Sequence, residues 1–415
     1  AALKMANENN TSILNARLDE KIAQKKIWET TAIGLPQINA EGNFQNFIDI
    51  PTSVLPANAF NPSAPEGELV GIQFGTDYTV SGSVTVSQLL FDGRYLVGLQ
   101  ASRAVKDLYA LSSQKTEQDV TKSVSMAYYT VVVTQSTILT LEESLKELKL
   151  IYGASQLIAD AGMIEQTDVD QLSINVRTLD NNLESIKAQL NIAKNFLKLE
   201  IGMNIDESIE VSESLDDYVA KVKADNISEF NSSANINYLL LENQLKLNQL
   251  TMKNEKAYAL PTLGAFFTHQ QQALRNEFDF FEGGKPWYPS TIWGVKLSIP
   301  VFSSGSRLSK ISQAKLEMEK TQNNLNNLDA GMKVQFQKAK MDFDNALRTL
   351  ETEEKNLEVT QKIMKNVEIK FRESIASSIQ LSQSQTQYLT AKANYISAAY
   401  KLINTKLELE NLQTK

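Results

Sequence analysis

Residues 93 to 161 read GRYLVGLQASRAVKDLYALSSQKTEQDVTKSVSMAYYTVVVTQSTILTLEESLKELKLIYGASQLIADA, with no proline and no glycine between Gly98 and Gly153. At about 1.5 Å per residue an unbroken helix of that length measures on the order of 100 Å, more than a compact domain needs. Its apolar residues Val120, Val124, Ala127, Val131, Ile138, Leu141, Leu145 and Leu148 recur at spacings of four and three, with Thr134 in the one gap. That is a coiled-coil seam. Past a break at Ala161-Gly162, Leu172, Val176, Leu179, Leu183, Ile186, Leu190, Ala193 and Leu197 keep the same alternation. The two segments, 93–160 and 167–200, read as an antiparallel helical hairpin closed by a short tip. An ordinary pair of amphipathic bundle helices is the competing reading, but bundle helices seldom exceed about 25 residues.

Upstream of this stretch the pattern changes period. Residues 1 to about 32 read as a helix, with Ile13, Ala16, Ile22, Ala23 and Ile27 toward a neighbour, and Pro36 ends it. From 36 to 48 Ile38, Ala40, Gly42 and Phe44 alternate with Gln37, Asn39, Glu41, Asn43 and Gln45, which predicts a strand. Residues 51 to 76 hold Pro51, Pro56, Pro62 and Pro65 and read as a long exposed loop. The strand at 77–91 sets Tyr78, Val80, Gly82, Val84 and Val86 against Thr79, Ser81, Ser83, Thr85 and Ser87. A face of Ser and Thr without Lys or Glu suits a wet lumen behind a lipid-facing wall better than bulk water.

Downstream, residues 202–234 carry Gly202, Asn204, Asp206 and the acidic Glu210, Glu213, Asp216 and Asp217, and read as a solvated connector. A helix from about Asn235 to Tyr258 leads to Leu260-Pro261 and to strands at 261–271 and 288–302. Trp287, Tyr288 and Trp293 sit where aromatic residues would anchor a barrel at the lipid interface; core packing is the plainer alternative. A second proline-free helix, 306–371, has a seam of Leu325, Leu328, Met332, Phe336, Ala339, Phe343, Leu347 and Leu350. The last helix, 378–412, follows a break near Ser374.

Composition excludes several function classes. The 415 residues contain 42% hydrophobic and 22% charged residues, and the net charge of −8 with no basic stripe argues against nucleic acid. There is no cysteine, and His269 is the one histidine, so no cofactor or metal site is expected. No run of about 18 apolar residues is seen, which sets aside a membrane-spanning helix. The chain begins at Ala1, as after removal of a signal peptide. No nucleophile and acid surround His269, and no glycine-rich phosphate loop exists, so the chain is not expected to be an enzyme.

The order helix, Leu-Pro, strand, loop, strand, long helix, tip, helix occurs twice, in 1–201 and 235–415. AIGLPQINAEGNF from Ala32 parallels AYALPTLGAFF from Ala257, and Phe91-Asp92-Gly93-Arg94 parallels the stretch from Phe302 to Arg307. Such repeats fold as pseudo-symmetric halves. The fold class is therefore an α+β membrane protein with an internal two-fold repeat and four strands per chain. Four strands cannot close a barrel, and open edges are not tolerated in a bilayer, so the chain must oligomerise; a ring of three gives twelve strands.

The Leu35-Pro36 and Leu260-Pro261 pairs, the Leu90-Phe91-Asp92-Gly93 turn, the Thr167-Asp168-Val169 helix start and the duplicated layout resemble the outer-membrane efflux (TolC-like) family over essentially the whole chain. The resemblance implies a homotrimer in the outer membrane of a Gram-negative bacterium, extending into the periplasm. Its twelve-stranded transmembrane β-barrel would be continuous with a tunnel, an α-barrel built from the helical hairpins. It implies a passive exit duct for efflux or type I secretion, docked to a periplasmic adaptor and an inner-membrane RND or ABC transporter. A periplasmic coiled-coil adaptor or scaffold without a barrel is the alternative. In the family the tips dock the adaptor, which points to Gly162, Met163 and Ile164 in the first tip and to Ser374 and Ile375 in the second, where Ser374 replaces the usual glycine. The family narrows the closed end of its tunnel with aspartates that correspond here to Gln380 and Gln383, and locks the hairpins through a residue matched by Asp168, near Asp170. The lock's arginine and tyrosine positions read Ala376 and Phe371, which leaves Arg372 as the expected partner of Asp168.

Overall fold

The computed structural model describes residues 1–224, 230–373 and 375–413. It is mostly helical, with one four-stranded sheet. Two compact units are distinguished, one of residues 1–22, 107–245 and 320–415, the other of 23–106 and 246–319.

Among the described residues the regular elements of the first unit are all helices. It contains α1 (Ala2–Asn9), the start of α2 (Thr11–Ala32), most of α3 (Gly93–Asp160), α4 (Gln166–Ile201) and α5 (Leu215–Ala224). The start of α6 (Ile236–Ala257), most of α7 (Ser306–Arg372) and α8 (Ser378–Gln413) complete it. The seam residues are its core. Ile138, Leu145 and Leu148 of α3 are buried with Leu172, Leu179 and Leu183 of α4 and Leu381 of α8. A second cluster joins Val132 to Phe343, Ala346 and Leu350 of α7 and to Ile396, Ala399, Leu402 and Ile403 of α8. Each fully buried Leu or Ile of this kind contributes roughly 1.5–3 kcal/mol.

Three local readings are corrected here. Residues 1–32 are two helices, because Asn10 interrupts them: its Oδ1 accepts from the Ser12 and Ile13 amides at 2.9 and 3.4 Å and caps α2, while its Nδ2 donates to the Glu200 carbonyl at 2.7 Å. Ile22, expected to face a neighbour, is exposed. The connector is not wholly solvated, since Leu215, Val219 and Val222 on one side of α5 join the α7–α8 core. Among the described residues one helix, α3, is also apolar enough by length and composition to qualify as a membrane span; Val131 and Val132 in it are buried against other helices.

The second unit is organised by an antiparallel sheet in the order β1 (Gln37–Asn46), β4 (Tyr78–Asp92), β5 (Thr262–Arg275), β6 (Tyr288–Ser298). The register puts Val84 opposite Ala40 and His269, and Ser83 opposite Glu41 and Gln270. One face therefore carries Ile38, Phe44, Val80, Val84, Val86, Phe267 and Trp293; the other carries Asn39, Asn43, Ser81, Thr85, Thr268 and Gln270. Thr85 and Thr268 bond across the polar face at 3.0 Å. His269 lies on the apolar side, where its Nδ1 is 2.8 Å from Thr291 Oγ1 and its Nε2 is 3.3 Å from Gln271 Nε2. Among the described residues nothing pairs with the outer edge of β1 or of β6.

The expected aromatic trio is divided by this register. Trp293 stands opposite Phe267 on the apolar face, whereas Tyr288 stands opposite Gln272 on the polar one; Trp287 precedes β6. The loop at 51–76 holds a hairpin of its own, β2 (Thr52–Pro56) with β3 (Leu69–Gln73), because Val54 with Leu55 and Leu69, Val70 with Ile72 form two short apolar runs on either side of the turn-forming Pro62 and Pro65. At the Asp92-Gly93 turn the strand passes directly into α3. Asp92 Oδ1 accepts from the Arg94 amide at 2.7 Å and caps the helix, and Arg94 returns an ion pair at 2.7 Å while its guanidinium lies 4.4 Å over the Tyr258 ring. A Cβ on Gly93 would lie 2.5 Å from Leu260 Cδ1, so the glycine lets the Leu90-Phe91-Asp92-Gly93 turn pack on the Leu260-Pro261 corner.

Candidate functional site at the hairpin ends

Helix α3 ends in a closed C-terminal motif that needs glycine. Gly162 has φ +72°, its amide reaches the Ala159 carbonyl at 2.8 Å, and the Met163 amide reaches Ile158 at 3.1 Å. This is a Schellman arrangement, in which a left-handed residue satisfies the last carbonyls. Met163 is left exposed and Ile164 half-buried. At the other end, the Ile375 amide bonds the Lys370 carbonyl at 2.8 Å and Ile375 is exposed. Ser374, expected in the same tip, lies outside the described residues.

The two ends line one cavity of about 500 Å³, with Ile151, Ser155, Ile158, Met163 and Ile164 on one side, Phe371, Arg372 and Ala376 on the other, and Asp168 and Ser378 between them. Asp168 and Arg372 both reach it, but they do not pair. Asp168 accepts a hydrogen bond from the Oγ of Ser378, and Arg372 pairs with Glu368 one turn back on α7. The reason is proximity: Ser378 is buried at the start of α8 beside α4, whereas Glu368 is an i,i+4 neighbour of Arg372. Asp170 is exposed and accepts from Gln166 at 3.2 Å.

The glutamines differ in role. Gln380 Oε1 accepts from the Ser377 amide at 3.1 Å while Ser377 Oγ accepts from the Gln380 amide at 3.3 Å. That reciprocal pair is a capping box, and it folds Gln380 back on the first turn of α8. Gln383, one turn on, is exposed and makes no hydrogen bond among the described residues. The S-x-x-Q spacing from Ser377 was the sequence signal for this.

Sequence reasoning treated the carboxylates of these helices as solvated and missed a cluster just above the cavity. Burial, then Glu368 and Glu143, push the Glu147 carboxyl above its ordinary range, with Arg372 opposing. Burial and the same Glu143 and Glu147 charges raise Tyr388 of α8.

The sequence profile of the outer membrane efflux protein family matches residues 2–202 and 234–413. The chain belongs to that family. No curated protein sequence matches it. Among solved structures the fold is similar to CusC, at 13% identity and a TM-score of 0.75 over 100% of this chain and 91% of that one. It is similar to the outer membrane protein VceC of Vibrio cholerae, at 13% identity and a TM-score of 0.73 over 100% and 95%. The Campylobacter jejuni CmeC outer membrane channel gives 14% identity and a TM-score of 0.73 over 99% and 84%. As an outer membrane efflux protein, the chain is a passive exit duct for an efflux system and not an enzyme. It resides in the outer membrane of a Gram-negative cell and extends into the periplasm.

Proposed function

We propose that three copies of the chain close one duct, a twelve-stranded barrel in the outer membrane continued by an α-barrel tunnel. The observation that carries this reading is the four-stranded sheet, which among the described residues has two unpaired edges, one mainly apolar face and one face rich in Ser, Thr, Asn and Gln that also carries Glu41, Phe266 and Leu274. In a bilayer such edges must pair, and β6 of one copy has β1 of the next available to it. The chain reads as two repeats, 1–201 and 235–415, joined by 202–234. Heat-modifiable migration, extraction only by detergent and a trimeric mass in detergent are expected. A stable detergent-solubilised monomer with full strand content refutes the assembly. A periplasmic adaptor without a barrel is not favoured by the family match.

The hairpin ends dock a periplasmic adaptor in this reading, through Gly162, Met163, Ile164 and Ile375, and the adaptor joins the duct to an inner-membrane RND or ABC transporter. The exposed Met163 and the glycine-closed turn support it. Bulky charged residues at Gly162 and Ile164 abolish export and leave the trimer intact; unchanged export removes the assignment. The closed end is held by Asp168 with Ser378 rather than with Arg372, and Gln383, Asp170 and Arg372 stand near it. In single-channel recordings Asp168→Ala and Ser378→Ala each raise conductance, and the double variant adds nothing; additive effects dissolve the pair. With glutamines at the constriction, multivalent cations block only weakly.

A further inference from the structure

The β5–β6 connection, residues 276–287, holds Phe278, Phe280 and Phe281 beside Asp279, Glu282 and Lys285. It is folded. Phe278 packs edge-on against Phe44 of β1 at 5.8 Å and Tyr78 of β4 at 6.1 Å, and Phe280 lies 6.4 Å from Phe44. Beneath it Arg275 is buried, its guanidinium donating to the Pro286 carbonyl at 2.7 Å while Nε stands 3.2 Å from Asp279 Oδ1. Lys285 pairs with the same Asp279 and lies 3.3 Å from Glu282. Arg275 at the end of β5 and Lys285 in the loop thus pair with Asp279 and Glu282, while Glu277 is exposed at the loop's start.

The face on which the loop lies decides its role. Phe44 and Tyr78 are in register with Val80 and Arg275, on the apolar side with Val84 and Trp293, and Ala273 on that side is fully buried beside the loop. The Ser and Thr face is the opposite one. A loop that closed the lumen would lean toward Ser81 and Thr79; this one leans away. Its outermost ring, Phe281, is 92% exposed, and Phe278 is 61% exposed. An aromatic patch of this kind, with Asp279 and Glu282 paired and the exposed Glu277 free to face the headgroups, suits the boundary between headgroups and hydrocarbon.

We infer that residues 276–287 are a lipid-interface anchor, with Phe278, Phe280 and Phe281 seated in the outer leaflet at the rim of the barrel, and that Arg275 with Asp279 holds the anchor on the wall. This rests on the barrel reading above. The occupant is the bilayer interface itself, continuous with the apolar face of the sheet.

Because the chain has no cysteine, single cysteines can carry a nitroxide label without background. Phe281→Cys, with Val84→Cys and Ser83→Cys as wall and lumen controls, is labelled in vesicles of phosphatidylethanolamine and phosphatidylglycerol. Accessibility to oxygen, which partitions into lipid, is compared with that to a water-soluble nickel chelate. Labels at 281 and 84 are expected to favour oxygen several-fold over the label at 83. If 84 favours oxygen and 281 favours the nickel chelate, the anchor is overturned and the barrel stands. If 84 itself favours the chelate, the barrel reading fails and the anchor with it. Adding Asp279→Asn shifts the 281 label toward the chelate; no shift overturns the holding role of the ion cluster.

Discussion

The helical unit and the sheet unit use apolar residues in opposite directions. In the helices the large apolar side chains meet one another, so that Leu172, Leu350, Leu381 and Leu402 lose essentially all solvent contact. In the sheet most of them look outward: Trp293 is 79% exposed and Ile38 70%, while the opposite face is mostly Ser, Thr, Asn and Gln, with Glu41, Phe266 and Ile292 among them. A sheet in water inverts this order, because burial of apolar area drives its folding. The difference teaches that the two units answer to different solvents, and each expected outcome below tests one side of that statement.

The largest effect belongs to the helical side. Leu402→Ala empties a fully buried site among Phe343, Ile396 and Ile403 and is expected to cost about 2–5 kcal/mol, read from chemical unfolding of the detergent-solubilised protein. On the sheet side, Val84→Arg places a charge on the apolar face of a central strand. In bilayers it is expected to cost about 2–4 kcal/mol, read as loss of the heat-modifiable form, with Ser83→Arg close to neutral. Equal tolerance of the two arginines breaks the comparison.

Much of this was legible in the sequence for the same reason that it is robust. A seam repeated through Val120 to Leu148 and a period-two pattern through Tyr78 to Ser87 are sums over many residues, so no single exception overturns them. What was not legible depends on single side chains finding partners far away in sequence. Asn10 meets Glu200, α5 meets α7 and α8, and Asp168 meets Ser378 rather than Arg372. The hairpin β2–β3 was hidden by its prolines, which mark turns without saying whether the runs on either side of them pair. The loop at 276–287 was read as a loop, but nothing local in FDFFEGGK says on which face it lands. Tyr288 was misplaced for a related reason, since one residue of offset from Trp293's parity moves a side chain to the other face.

A smaller expected effect concerns the break between α1 and α2. Asn10→Ala removes the cap of α2 and the bond to Glu200, at a cost of about 1 kcal/mol for the cap alone. Limited proteolysis near residue 10 should accelerate while the barrel's gel migration is unchanged. Altered migration would mean that the two units are not energetically separable at this site.

The smallest effect is electrostatic and lies near the hairpin ends. Glu147 is partly buried and is faced by Glu368 and Arg372 on α7, by Glu143 on its own helix and by Tyr388 on α8, and burial first, then the two carboxylates, raise its carboxyl above the ordinary 4.5. A carboxyl raised by folding is destabilising when ionised, because the folded state holds its proton more tightly than the unfolded chain does. The penalty is present at neutral pH, shrinks as pH falls through the raised value, and is gone below about pH 4.5, where both states are protonated. Glu147→Gln is therefore expected to melt at a higher temperature than the parent protein at pH 7 and at the same temperature near pH 4. Glu368→Gln relieves the same repulsion but releases Arg372 from its partner, so it should gain less. A Glu147→Gln advantage that grows on acidification would reverse the sign, and would mean that Arg372, not the neighbouring carboxylates, dominates the field at Glu147.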